Sequence, residues 1–244
     1  MDNNYYVEKV TPLYVSCKNN HVAMVELLLS TEGIEVNDVS PTPLSVACTE
    51  GYLDIVKHLL ATKKIDANQS SKALRDASQK GYLDIVKHLL ATKNIDVNCC
   101  SARNFYFRGR TPLYCASRNG HRDIVEVLLL ETKINVNLSR PETKETPLFV
   151  ACRNSHLEIA KLLLSVNGIV INQTMEVGFC RFAKPLSICT CDDHRCKDNN
   201  GVGCCAKEDC EAVVKMLQDK GSYVTLTEEI NGLEYAEESE EDEY

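Results

Sequence analysis

A chain of 244 residues, 25% of them charged, with a net charge of −8, is long enough for one large or two ordinary domains. Its longest apolar run falls short of the roughly 18–20 residues that a membrane-spanning helix requires, and Met1-Asp2-Asn3-Asn4 shows no charged-then-apolar export pattern. The 13 cysteines are therefore expected as thiols, with cytosol or nucleus as the compartment.

The first element opens at Thr11-Pro12-Leu13. Threonine before proline predicts a helix start, because the hydroxyl caps orphan N–H groups and a proline at the first helical position needs no donor. A short helix should run to a left-handed stop at Asn20, and a second should place Met24, Val25, Leu28 and Leu29 on one face. Ile34 and Asn37 close the unit. The second unit repeats this from Thr42-Pro43-Leu44, with a stop at Gly51, an apolar face of Ile55, Val56, Leu59 and Leu60, and closure at Ile65 and Asn68. Residues 51–63 return letter for letter at 81–93, inside a third unit that opens without the threonine cap at Lys72-Ala73-Leu74 and closes at Ile95 and Asn98. The fourth runs from Thr111-Pro112-Leu113 past Gly120 to Ile134 and Asn137, its second helix facing inward through Ile124, Val125, Leu128 and Leu129. The fifth runs from Thr146-Pro147-Leu148 past Ser155 to Ile169 and Asn172, and a sixth opens at Lys184-Pro185-Leu186. From the Thr (or its Lys equivalent) to the closing Ile is 23 positions in each of the first five. The connectors that follow hold 4, 3, 12, 8 and 11 residues, so the body is fixed and the connector varies.

A fixed body copied in tandem cannot bury its apolar face alone, so each unit must stack on its neighbours. Helix, tight turn, helix and extended connector, carried by Thr-Pro-Leu…Gly-His…Ile-Val…Leu-Leu, resembles the ankyrin repeat. The resemblance covers residues 9–222. It implies an all-α solenoid of six units (about 9–40, 41–70, 71–108, 109–143, 144–181 and 182–222) with β-hairpin fingers in the connectors. Residues 223–244 follow as a tail. It further implies a non-catalytic scaffold or adaptor, monomeric, that binds a protein through a concave groove lined by fingertips and the exposed ends of helix one. Carried onto this sequence, the groove comprises Lys18, Asn19, Glu50, Gln79, Lys80, Arg118, Asn119, Arg153 and Asn154, with Arg110 and Glu145 just before two caps. His21, His121 and His156 fall at the Gly-His position, which implies a structural role at the helix–helix turn. One departure stands out. The family places a histidine after Thr-Pro-Leu that ties neighbouring units together, whereas this chain has Tyr14, Ser45, Arg75, Tyr114, Phe149 and Ser187 there. A less rigid array is the expectation.

The groove candidates lean basic, which suits either an acidic partner or a solvated edge. The connector 99–110 brings Arg103, Phe105, Tyr106, Phe107 and Arg108 together. Adjacent aromatics and arginines suit a protein hot spot, packing onto the base of the finger, or base stacking. Nucleic acid is the weaker reading for an acidic chain. In the sixth unit an insertion gathers Cys191, His194, Cys196, Cys204, Cys205 and Cys210. Thiolates and an imidazole on short loops could hold zinc, act as a redox switch, or sit incidentally in a loop. Cys17, Cys48 and Cys152 occupy a small core position of helix one. No phosphate-binding glycine loop, nucleophile elbow or His-Glu-x-x-His motif is present, so no catalysis is expected and no cofactor beyond a zinc ion. Residues 228–244 carry nine acidic groups and no basic one, a composition that predicts disorder. That segment could fold back over the basic groove.

Overall fold

The computed structural model describes residues 10–37, 41–62, 64–92, 94–100 and 109–171, with Lys215 and Asp219 as isolated helical positions. The sixth unit, the cysteine-rich insertion and the acidic segment lie outside the described residues. Among those residues are five helix pairs and no strand. The inner helices are α1 (Pro12–Lys18), α3 (Pro43–Glu50), α5 (Ala67–Lys80), α7 (Pro112–Asn119) and α9 (Pro147–Arg153). The outer helices are α2 (Val22–Ser30), α4 (Leu53–Ala61), α6 (Leu83–Leu90), α8 (Arg122–Leu129) and α10 (Leu157–Ser165).

The helix starts follow from Thr-Pro. A proline excludes helical backbone at the residue before it. Thr11, Thr42, Thr111 and Thr146 are accordingly extended, and each hydroxyl accepts from the N–H three residues on. The third unit differs from the expected start at Lys72. Without a proline there, nothing forces the preceding residue out of the helix, and α5 runs back to Ala67. Asn68, expected to close the second unit, lies inside α5.

Each inner helix ends in a left-handed residue: Asn20 (φ 56°), Gly51 (84°), Gly81 (88°), Gly120 (80°) and Ser155 (60°). The residue after it bridges to the outer helix. Its backbone sits near φ −85° and ψ 75° in all five units, at His21, Tyr52, Tyr82, His121 and His156. These residues supply no side-chain cap to their own helix, which leaves their rings free to reach a neighbouring unit.

Successive inner helices stack on one another, as do successive outer helices. The inner row packs more closely because its contact faces are small (Ala47, Cys48, Ala73, Ala77, Ala116, Ala151 and Cys152, all buried), so it forms the concave side. One continuous core runs along the array between the rows, through Leu13, Leu44, Leu74, Leu113 and Leu148 on the inner side and Val25, Ile55, Ile85, Ile124 and Ile159 on the outer. The expected inward face of α2 is met only in part. Val25 is fully buried and Leu28 and Leu29 pack partly buried against the core, but Met24 is 47% exposed. The outer helix of the first unit has a neighbour on one side only among the described residues, so its far flank is uncovered.

The connector 138–145 closes as a tight hairpin-like turn without forming a strand. Arg140 N–H donates to Glu145 O (3.0 Å), and Lys144 N–H donates to Arg140 O (2.8 Å). The base of the preceding long connector packs on it. A side chain at Gly109 (φ 73°) would collide with Pro141, so the two connector bases meet where only glycine fits.

Candidate functional site

The inner helices set the candidate groove. Counted back from the left-handed stops, Lys18, Gln79, Arg118 and Arg153 occupy one equivalent position, and Asn19, Glu50, Lys80, Asn119 and Asn154 occupy the next. Asn19 and Asn154 are C-caps, whereas Glu50, Lys80 and Asn119 are the last residues of their helices. The residues assigned to the groove therefore form one row along the concave edge.

They are not equivalent in chemistry. The Asn154 amide donates to the Arg118 carbonyl of the preceding unit at 2.6 Å, and Asn119 donates to the Gln79 carbonyl at 3.2 Å. Both amides are committed to holding units together. The same two carbonyls accept from the rings that follow the turns: His156 Nε2 reaches Arg118 O at 3.1 Å, and His121 Nε2 reaches Gln79 O at 3.2 Å. A carbonyl only accepts, so each histidine carries its proton on Nε2. These rings also lie flat against the glycine stops of the preceding unit. A Cβ on Gly81 would be 2.6 Å from His121 Cε1, and one on Gly120 would be 2.8 Å from His156 Cε1. Tyr82 covers Gly51 in the same way, at 2.7 Å. Of the three histidines assigned to the turn, His121 and His156 thus act across units.

A second row of bridges crosses the same boundaries at the closing asparagines. Asn98 donates to Lys133 O (2.8 Å) and accepts from Asn135 N–H (2.9 Å). Asn137 donates to Gly168 O (2.8 Å) and accepts from Val170 N–H (2.9 Å). Asn37 makes the equivalent pair with Lys64 O (2.8 Å) and Asp66 N–H (3.3 Å). Where α5 has absorbed Asn68, the Ser71 hydroxyl accepts from Asp96 N–H instead (2.9 Å). Two of the positions that depart from the family's histidine also cross boundaries. Ser45 Oγ donates to Asp76 Oδ2 (2.9 Å), and the Tyr114 hydroxyl donates to Glu145 Oε2 (2.6 Å).

Glu145 is the centre of the one densely charged cluster among the described residues. It is buried, with Arg140 Nη1 at 3.2 Å, Arg153 Nη1 at 2.8 Å and the Tyr114 hydroxyl. Burial pushes its carboxyl upward, but the Tyr114 hydrogen bond and the two guanidiniums outweigh that and hold it below the ordinary value. Burial and the adjacent carboxylate in turn push the Tyr114 phenol up. Arg153, assigned to the groove, is committed to this internal cluster.

Four members of the row remain open to solvent chemistry. Lys18, Glu50 and Lys80 are exposed and Arg118 is half-buried, and none of the four makes an ion pair among the described residues. Lys18 Nζ sits 5.9 Å from the Tyr14 ring centroid. The Arg118 charge opposes that of Arg110, whose guanidinium is depressed by burial and then by this neighbour. A carboxylate brought to Arg118 would relieve that repulsion.

Arg103, Phe105, Tyr106, Phe107 and Arg108 lie outside the described residues, as do Cys191, His194, Cys196, Cys204, Cys205 and Cys210. Among the described residues no group of three or more His, Cys, Asp or Glu could hold a metal ion. The described cysteines are free thiols. Cys17, Cys48, Cys115 and Cys152 are buried in the core, and burial raises Cys17 and Cys115 to about 12. Those two are packing groups that resist the thiolate form. No described helix is long and apolar enough to cross a membrane.

Stacked helix pairs, bridged at both ends to their neighbours and presenting a solvent-facing concave row, define a helical repeat scaffold. The family model of ankyrin repeats, in three copies, matches residues 1–71 and 74–175, and the chain belongs to the ankyrin repeat family. Among solved structures, the human ASB11 ankyrin repeat domain superposes with a TM-score of 0.61 at 21% identity, covering 88% of this chain and 86% of that one. A likeness at that identity supports the fold. No curated protein matches the chain. Ankyrin repeats are in general modules for binding other proteins, and this chain has that architecture.

Proposed function

We propose that the array is a non-catalytic scaffold that binds an acidic protein segment along its concave row, centred on Lys80 and Arg118. The observation that carries this is the division of labour within the row. The amides of Asn119 and Asn154 and the guanidinium of Arg153 are used internally, whereas Lys18, Lys80 and Arg118 have no ion pair among the described residues and are opposed only by Glu50. Cations at helix C-termini are favourable to the helix dipole in any protein, so position alone does not indicate a partner. Three uncommitted cations aligned on one edge by stacking supply more. Lys80 and Arg118 stand on adjacent units about 10 Å apart, which an extended acidic segment can bridge, and Lys18 lies two units further along, beyond Glu50. Arg118 adds a forked donor suited to a carboxylate.

The test is fluorescence anisotropy with a labelled peptide rich in Glu and Ser, at low salt. Binding should weaken by about tenfold in the Lys80→Ala/Arg118→Ala double variant and fall steeply with added salt. Far-UV circular dichroism should show the same helix content as the unaltered chain. Equal binding by the double variant would refute the assignment of the row.

A further inference from the structure

We infer that the acidic segment 228–244 of this chain is itself an occupant of the concave row, lying over Lys80 and Arg118 and competing with the outside partner. This rests on the reading of the row as a site for acidic segments and adds its regulation.

Charge complementarity is the first argument. The chain has 27 basic and 35 acidic residues, and nine of the acidic ones fall in residues 228–244. The remainder, 27 basic against 26 acidic, carries a net charge of +1, so the overall acidity resides in this one stretch. The cations it would meet are those the fold leaves uncommitted: Lys18, Lys80 and Arg118. The internal cluster at Glu145 already consumes Arg140 and Arg153, so the strip that remains is cationic and solvent-facing on units three and four.

Reach is the second argument. Inner helices stack at about 8–10 Å per unit, so Lys80 lies roughly 20 Å from the fifth unit, where the described array ends at Ile171, and Arg118 lies one unit closer. A 17-residue segment spans up to about 55 Å when extended. The 56 residues 172–227 separate the described array from the acidic segment, and that length of chain is enough to bring the segment to both cations. Its effective concentration at the row is on the order of 1 mM, far above that of most free partners.

The experiment keeps the chain at full length. Every glutamate from 228 to 243 is replaced with glutamine, and Asp242→Asn is added. The probe is the Glu- and Ser-rich peptide, at low salt. The amide variant should bind it about tenfold more tightly than the unaltered chain, and the gain should vanish when Lys80→Ala/Arg118→Ala is combined with the amide changes. In the unaltered chain, zero-length carbodiimide coupling should join Lys80 to a glutamate of 228–243 within one molecule. Equal binding by the amide variant and the unaltered chain overturns the self-occupancy and leaves the proposed function standing. Binding by neither form overturns the proposed function and the self-occupancy together. A coupling that joins only separate chains, and fades on dilution, overturns the intramolecular contact.

Discussion

Gly120 isolates the energetics of the inter-unit bridges. Replacing it with alanine does two things that the structure separates. Its backbone is left-handed at φ 80°, where an L side chain costs roughly 1–2 kcal/mol. The added Cβ would also stand 2.8 Å from His156 Cε1, so the ring must move and its hydrogen bond to Arg118 O is strained or lost, at about 1 kcal/mol or more. The reduced entropy of the unfolded chain returns roughly 0.4–1 kcal/mol. The net loss should be about 2 kcal/mol. Gly168 supplies the control, since it has the same φ of 80° and nothing within 4 Å of its added Cβ. Gly168→Ala should therefore cost only the backbone part, about 1 kcal/mol. The chain has no tryptophan, so urea unfolding is followed by far-UV circular dichroism. In a His156→Ala background the cost of Gly120→Ala should fall to that of Gly168→Ala. Additive effects of the two changes within about 0.3 kcal/mol would show that the ring and the glycine do not interact, and the argument for close approach would fail.

Other outcomes follow from the polar bridges. Glu145→Ala removes the buried carboxylate that pairs with Arg140 and Arg153 and accepts from the Tyr114 hydroxyl, and should cost about 3 kcal/mol in the same urea assay. Because the folded protein holds this carboxyl below its ordinary value, its contribution is fully present above the ordinary carboxyl range near about pH 4.3 and is lost as pH falls through the folded value. Acid titration of stability should accordingly be shallower below that range in Glu145→Gln than in the unaltered chain. Asn137→Ala removes one donor and one acceptor and should cost about 1–2 kcal/mol, with faster hydrogen exchange at the Val170 amide. Lys72→Pro should force Ser71 out of helical backbone and unwind the first turn of α5, which NMR chemical shifts at 67–71 would report.

The fold was legible because its signals are local. Thr-Pro places a cap and a start within two residues, and a left-handed stop at Gly, Asn or Ser fixes each turn, so the four capped inner helices appear where the sequence puts them. The exception shows the cause. Lys72 looked like a degenerate Thr-Pro start, but what shortens the other inner helices is the proline ring, and without it α5 extends to Ala67. The closing asparagine was visible as a periodic letter, yet its role was not, because its partners are backbone groups 27 to 37 positions away. The candidate residues fall in one row at the ends of the inner helices, but the sequence did not sort them. Arg153 and Arg118 read alike in sequence, and only the fold shows that Arg153 is drawn to Glu145 while Arg118 is not. Glu145 looked like an edge residue beside a cap. Its burial depends on the turn at 140–145 and on Tyr114 of the preceding unit, 31 positions away. The substitutes for the family histidine suggested a looser array, yet Ser45 and Tyr114 each carry a bond to the next unit.

The groups that the asparagines and rings reach across each boundary are main-chain ones, above all the carbonyls of Lys64, Lys133 and Gly168 on one side and of Gln79 and Arg118 on the other. A carbonyl is the same whichever residue bears it. A unit that presents asparagine at its close and a ring after its turn can therefore dock against almost any neighbour of the same kind, with no matching side chain required. Such units can be duplicated, lost or shuffled as genetic modules without compensating mutations next door. The verbatim stretch at 51–63 and 81–93 is what an interchangeable part of this kind would leave behind. The two junctions fastened by Ser45 with Asp76 and Tyr114 with Glu145 do require matched side chains. At those points the order of units is fixed, and a swapped module would arrive with the wrong fastener.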